Sequence, residues 1–191
     1  PSAPTPSQPD KPSAPLVTVV IPVYNGGIML KTVVEACLAQ DLDEEFELLL
    51  IDSESSDGCL DELPKDDRLR LHRIRKEEFG HGRTRNLGVE MARGKYVAFI
   101  TQDAIPANRM WLMNLIAPLQ DDPDVAGVFG CHMAHREHGQ LTGHDLDQHF
   151  NRWIYKTHLQ PIELDADRQN GKGAVSTHER FYSDNNSCLR K

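Results

Sequence analysis

The chain has no apolar run approaching the roughly 20 residues that cross a bilayer as a helix. No basic, apolar and small-residue leader opens it, so no secretory signal is read at its start. It also lacks a basic excess. Its 21 Lys and Arg against 29 Asp and Glu give a net charge of −8, which argues against a general nucleic-acid binder. Only four cysteines are present, Cys37, Cys59, Cys131 and Cys188, and they form no CxxC pair. They read as reduced, partly buried thiols of a cytosolic protein, and nothing in their spacing asks for a disulfide. No internal repeat is visible. No methionine begins the sequence, which is expected of a segment cut from a longer protein.

What is present is ordinary for a folded domain: 191 residues, 39% hydrophobic and 26% charged. That length supports one α/β domain with a real core. Pro1 to Pro15 is rich in proline and serine and reads as a disordered linker, of the kind that joins a further domain in the same parent chain. The domain is expected to fill 16–191.

Leu16 to Val23 is a continuous β-branched apolar run, the pattern of a central parallel strand. Tyr24-Asn25-Gly26-Gly27 is a turn, and Ile28 to Ala39 shows helical spacing at Ile28, Val33 or Val34, Cys37 and Leu38. Phe46 to Ile51 is a second buried strand ending at Asp52. A polar turn, Ser53 to Gly58, then caps a short predicted helix, Cys59 to Leu63. Leu69 to Ile74 is an arginine-dense strand suited to a sheet edge. Val125 to Phe129 and Phe181 to Leu189 are later strands, with a helix from Asp145 to His158 and a loop from Pro161 to Ser176 between them. The alternation predicts an α/β fold, a mostly parallel sheet flanked by helices.

One stretch organises the rest. Phe79 to Gly88 is a glycine-containing loop leading into a helix, Thr84 to Met91, with Arg93-Gly94 as its C-cap. Tyr96 to Thr101 is an apolar strand running to Asp103, and Pro106 opens a helix reaching Leu119. In open α/β sheets ligands gather beyond the carboxyl ends of the strands. Asp103 is predicted at such an end, beside a helix start whose free N–H groups suit an anion.

Three segments now meet: Val19-Val20-Ile21-Pro22-Val23-Tyr24-Asn25, Ile51-Asp52-Ser53-Glu54-Ser55-Ser56-Asp57-Gly58, and Thr101-Gln102-Asp103-Ala104. In this order and spacing they resemble the inverting family 2 glycosyltransferases of GT-A fold. The resemblance covers Val17 to Pro106 closely and Phe181 to Lys191 loosely. The loop Phe79-Gly80-His81-Gly82-Arg83-Thr84-Arg85-Asn86 is similar to that of the rhamnosyltransferase subset. The resemblance implies a donor-binding half, 16–106, and an acceptor-side half, 107–191, incomplete at its end. It implies a nucleoside-diphosphate sugar as donor, dTDP- or UDP-linked, and a saccharide or lipid-linked saccharide as acceptor. The expected place is the cytoplasm, with peripheral association at the inner face of the membrane. A nucleotide-sugar-binding module without catalysis is the alternative.

Residue by residue, the resemblance gives Asp52 the N3–H of a uracil or thymine, a donor that an ionised carboxylate accepts. Capping its own turn is the other role open to it. Ser53 and Glu54 stand where the family often has a second acid and a glycine. Pro22, Val23, Tyr24 and Asn25 line the nucleotide, with Tyr24 beside the base. Arg83, Arg85 and Asn86 are given the diphosphate, because arginine at a helix start opposes the dipole unless an anion is near. Gln102 and Asp103 complete the donor contacts. Asp103 is the expected ligand of a divalent cation, Mg or Mn, with Thr101 where the family has a first acid. A single carboxylate makes that cation donor-dependent. Asp103 also suits the N-cap before Pro106. Five histidines, His132, His135, His138, His144 and His149, lack zinc-site spacing, though one is a candidate to complete the cation site. The general base is expected beyond Lys191. Asp184 is near and is not given that role.

Overall fold

The computed structural model describes residues 14–134, 144, 145, 148–151 and 185–191. Six strands form one sheet in the order β3-β2-β1-β4-β6-β5. They are β1 (Val17–Val23), β2 (Phe46–Asp52), β3 (Leu69–Arg73), β4 (Tyr96–Ile100), β5 (Gly127–Phe129) and β6 (Asn186–Arg190). β1 to β4 are mutually parallel. β6 is antiparallel to both β4 and β5 and wedges between them, so the expected mostly parallel sheet carries one reversed strand.

The central strands are buried along runs that are almost wholly apolar, with Thr18, Glu47 and Asp52 as their buried polar residues. Leu48, Leu49, Leu50 and Ile51 all lie at 0% exposure, as a strand covered on both faces requires. One face is covered by α1 (Gly27–Leu38) and α3 (Trp111–Asp121), the other by α2 (His81–Met91). α1 presents Leu30, Val33, Val34 and Cys37 to the core, an i, i+3, i+4, i+7 stripe. Ile28, expected in that stripe, is exposed. On the opposite face Gly88 lets α2 lie directly on β1: a Cβ there would fall 2.6 Å from Val20 Cγ1.

Several expectations shift. No helix forms over Cys59 to Leu63, where the chain makes hydrogen-bonded turns. α2 begins at His81, so Gly82 lies inside the helix. Gly94 is not its C-cap; a Cβ there would meet Thr18 N at 2.5 Å and Val17 C at 2.7 Å, so close backbone approach is what demands glycine. α3 starts at Trp111, not Pro106, and Arg190 Nη2 donates to the carbonyls of Leu119 and Asp122 at its end. β4 ends at Ile100, three residues before Asp103. Most of the predicted helix from Asp145, the loop from Pro161 and positions 181–184 lie outside the described residues.

The strand order places a topological switch between β1 and β4. The chain leaves β1 towards β2 and β3, then returns through α2 to β4 on β1's other side. The carboxyl-end loops of β1 and β4 therefore diverge from neighbouring strands, the place where α/β sheets bind ligands.

Candidate functional site

Val23, Asp52 and Arg73 stand in register as the last residues of β1, β2 and β3. Asp52 is 1% exposed. Its Oδ1 accepts from Ser55 N at 3.1 Å, so it does cap its own turn. Its Oδ2 lies 3.9 Å from Arg73 Nε, beyond hydrogen-bonding distance. Ser53 is turned inward: its N–H and its hydroxyl both donate to Val23 O at 2.9 Å. Val23 itself is buried in the core, and Pro22 is half-buried.

Beyond the strand ends, the loops are fastened to one another. Tyr24 N donates to Gln102 Oε1 at 2.8 Å, and Gln102 Nε2 donates to Tyr24 O at 3.0 Å. That pair spans the switch point. Asn25 N donates to Ser55 Oγ, and Ser56 N donates to Asn25 Oδ1. Gly27 N donates to Asp57 Oδ2 at 2.8 Å, and Cys59 N to Oδ1 at 3.2 Å. The Cys59 side chain and the Gly27 N–H hold the Asp57 carboxyl below its usual range. Asn25 adopts φ +48°, a left-handed conformation that asparagine tolerates. Glu54 adopts φ +64°, which glycine would hold without strain. Its Oε2 accepts from Lys76 N at 3.1 Å, so the strained residue ties the β2 loop to the segment after β3. Lys76 in turn lies over the Tyr24 ring and donates to its hydroxyl at 2.8 Å.

The chain leaves β3 at this rim, so α2 begins there. Its N-cap, Gly80, is extended, and no acid occupies its first turn. The first N–H groups of such a helix have no partner within it. Arg83 and Asn86 are exposed near that end, and Arg85 is half-buried with Nη1 donating to His81 O at 3.1 Å. Asp103 is exposed in the turn after β4 and caps no helix. Among the described residues its carboxylate makes no hydrogen bond or ion pair. Tyr24, Asn25, Asp52, Ser53 and Gln102 thus belong to one bonded cluster. Arg83, Asn86 and Asp103 stand at its rim without bonding to it among the described residues, and Arg85 stands beside them.

Ser55, Asp57, Glu54 and Lys76 were absent from the expected contacts. The polar run Ser53 to Gly58 was the signal for the first two; the left-handed Glu54 leaves no mark in the sequence. His132, His144 and His149 are described, while His135 and His138 lie outside. Among the described residues no three His, Cys, Asp or Glu side chains converge as a metal group. The cysteines described are free thiols, and burial pushes Cys37 and Cys188 up to about 12, which keeps them protonated and unreactive.

A sequence profile described as Glycosyl transferase family 2 matches residues 18–179. The chain is similar to the O-antigen chain rhamnosyltransferase RfbN of Salmonella typhimurium, 32% identical over 129 residues, covering 67% of this chain and 40% of that protein. It is similar to the O-antigen chain rhamnosyltransferase WbaN of Salmonella anatum, 30% identical over 131 residues, 68% of this chain and 41% of that one. The chain therefore spans about 40% of the length of these relatives. Among solved structures it resembles the mannosyltransferase PcManGT from Pyrobaculum calidifontis in complex with GDP-Man and Mn2+. There the TM-score is 0.53 at 26% identity, over 71% of this chain and 40% of that one. With a profile spanning most of the chain and a sheet of the same GT-A arrangement, this chain belongs to glycosyl transferase family 2.

Proposed function

We propose that this chain is the donor-binding part of a glycosyltransferase that moves a sugar from a nucleoside diphosphate to a saccharide or lipid-linked saccharide with inversion. Rhamnose from a dTDP- or UDP-linked donor is the favoured substrate, because RfbN and WbaN are named as rhamnosyltransferases. One observation carries the reading: at the carboxyl end of β2, next to β1 and the switch point, a buried carboxylate, Asp52, keeps one oxygen without a hydrogen-bond donor among the described residues. An N3–H of uracil or thymine supplies that donor. Residues 16–106 would hold the donor and 107–191 would form part of the acceptor side. The reaction forms a bond from the acceptor oxygen to the anomeric carbon as the bond to the diphosphate breaks. The diphosphate leaves with the electron pair, and a general base takes the acceptor proton.

Growing charge on the diphosphate falls to Arg83 and Arg85 near the start of α2. The donor set also fits a hard cation: Asp103 offers an exposed oxygen ligand with no protein partner among the described residues. PcManGT is described with Mn2+. Asp103 would hold Mg or Mn, and the cation would supply further neutralisation of the leaving diphosphate. Among the described residues no helix is long and apolar enough to cross a membrane. A cytoplasmic enzyme meeting a lipid-linked acceptor at the inner membrane face is the proposed setting. Thermal-shift measurements with UDP, dTDP and GDP, each with and without Mn2+, test the reading. Ligand at a hundred times its Kd should add about 2.7 kcal/mol. No shift with any of the three would refute nucleotide binding.

A further inference from the structure

Five cations line the sheet edge from Arg68 to Lys76, and four are hydrogen-bonded within the protein. Arg68 chelates Asp66 through Nε and Nη2. Arg70 holds Glu47, Arg75 holds Glu78, and Lys76 holds the Tyr24 hydroxyl. Arg73 is the exception. Among the described residues its guanidinium makes no hydrogen bond, and its side chain is 70% exposed. Its nearest charged partner is Asp52 Oδ2, at 3.9 Å from Nε. With the cation exposed and 3.9 Å away, the pair adds little stability. Yet its position is fixed by the sheet, because Asp52 and Arg73 are register partners and share one face at the carboxyl rim.

From this juxtaposition we propose that Arg73 and Asp52 together read the imide edge of the nucleotide base, which makes Arg73 a specificity-determining residue. The inference rests on the donor reading above and extends it. Among the described residues Asp52 Oδ2 is an acceptor without a hydrogen-bond donor, and Arg73 is a set of donors without a hydrogen-bond acceptor. An imide presents the complement, an N3–H beside a carbonyl oxygen. Uracil and thymine match both groups at once. Cytosine matches neither: its N3 lone pair would face the carboxylate, and its amino group would face the guanidinium. Uracil and cytosine have nearly the same size, so the choice between them falls on this edge rather than on the shape of the pocket. Leaving a charged donor and a charged acceptor both unpaired is what makes such rejection strong.

Calorimetry with UDP, CDP, 2-thio-UDP and 4-thio-UDP at fixed Mn2+ tests this on the wild type, Arg73→Met and Arg73→Lys. The wild type should bind UDP at least about tenfold tighter than CDP, since one charged hydrogen bond exceeds the free energy of a tenfold change. The 4-thio analogue should also bind more weakly and the 2-thio analogue should not, sulfur being the poorer acceptor and Arg73 facing the 4-position, where uracil and cytosine differ. Arg73→Met should weaken UDP about tenfold, leave CDP unchanged and erase the thio effect. Arg73→Lys should recover part of the preference. The exposed position lets all three proteins fold alike, which urea midpoints check. If UDP binds and Arg73→Met alters neither its affinity nor the UDP to CDP ratio, the role of Arg73 is refuted and the donor reading stands. If neither UDP nor dTDP binds the wild type, both fall.

Discussion

At the amino ends of the strands, Glu47 is buried, its side chain 7% exposed, and its contacts close on themselves. Thr18 Oγ1 and Arg93 N donate to its Oε1, and Arg70 Nη1 sits 2.9 Å from both carboxylate oxygens. The same Thr18 hydroxyl accepts from Gly94 N, which fixes the turn into β4. At the carboxyl ends, Asp52 is buried even more deeply, its side chain 2% exposed. The only hydrogen bond its carboxylate accepts among the described residues comes from its own turn, from Ser55 N. Glu47 is satisfied by the fold; Asp52 is satisfied only in part. Buried depth does not tell these two carboxylates apart, whereas their hydrogen-bond partners among the described residues do. Cavity size misleads as well. A cavity of about 680 Å³ lies at the amino end, lined by Leu16, Glu45, Arg93 and Lys191 among others, away from the rim where the loops converge.

The comparison breaks first under paired substitution. Glu47→Ala leaves Arg70 with the Met91 carbonyl alone and Arg93 N with Thr18 Oγ1 alone, and should lower unfolding stability by about 3 kcal/mol. UDP affinity of the folded fraction should not change. Asp52→Ala should do the reverse: about 1 kcal/mol in stability, but about 2 kcal/mol in UDP or dTDP binding and less for GDP. Urea titration and calorimetry on the same preparations measure both. Equal effects of the two substitutions on UDP binding would erase the distinction between the ends. A second break runs through the core. Gly88→Ala forces a Cβ against Val20 Cγ1 and should destabilise by about 1–3 kcal/mol. It should also weaken UDP more than uridine, because the displaced α2 carries Arg83 and Arg85. Loss of stability with an unchanged UDP to uridine ratio would separate α2 from the phosphate.

Much of this was legible beforehand, and the boundary is physical. Strands buried on both faces announce themselves through runs such as Leu48 to Ile51, because no alternation is needed there. Asp52 was placed at a strand end because it closes such a run, whereas Gln102 was named only through the resemblance carried by Thr101 to Ala104. What escaped depends on spatial neighbours. Gly94 looks like a helix terminator in sequence, but the Thr18 backbone is what excludes a side chain. The reversal of β6 shows only in its antiparallel pairing with β4, a partner far away along the chain. That Arg73 makes no hydrogen bond among the described residues is invisible until its neighbours on the edge are seen to be engaged. The edge cations look alike in sequence and differ only in who holds them.

A smaller effect sharpens the rim itself. Arg83→Ala should weaken UDP by about 1.5 kcal/mol and leave uridine unchanged, as expected for a charged hydrogen bond to phosphate. Arg85→Ala should act in the same direction, with an added structural cost because Arg85 also holds His81 O. Calorimetry with UDP and uridine separates the two terms. If neither substitution distinguishes diphosphate from nucleoside, α2 does not hold the anion.

The smallest expected change in stability belongs to Asp103, and it carries the clearest contrast with Glu47. Asp103 is exposed, caps no helix and bonds to nothing among the described residues. Asp103→Asn should therefore shift the urea midpoint by less than about 0.5 kcal/mol, the range of ordinary surface substitutions. Its effect should appear only when metal and nucleotide are both present. One carboxylate binds a hard, strongly hydrated ion weakly, and a diphosphate supplies the remaining oxygens. Mn2+ and UDP should then tighten one another by the same factor, about 1 kcal/mol or more, because coupling free energy is reciprocal. Removing the charge at Asp103 removes the protein's share of that coupling while uridine binding at Asp52 persists. Titrating Mn2+ with and without UDP, in wild type and Asp103→Asn, measures the coupling from both sides. Tight Mn2+ binding without nucleotide, indifferent to Asp103→Asn, would move the cation away from the rim.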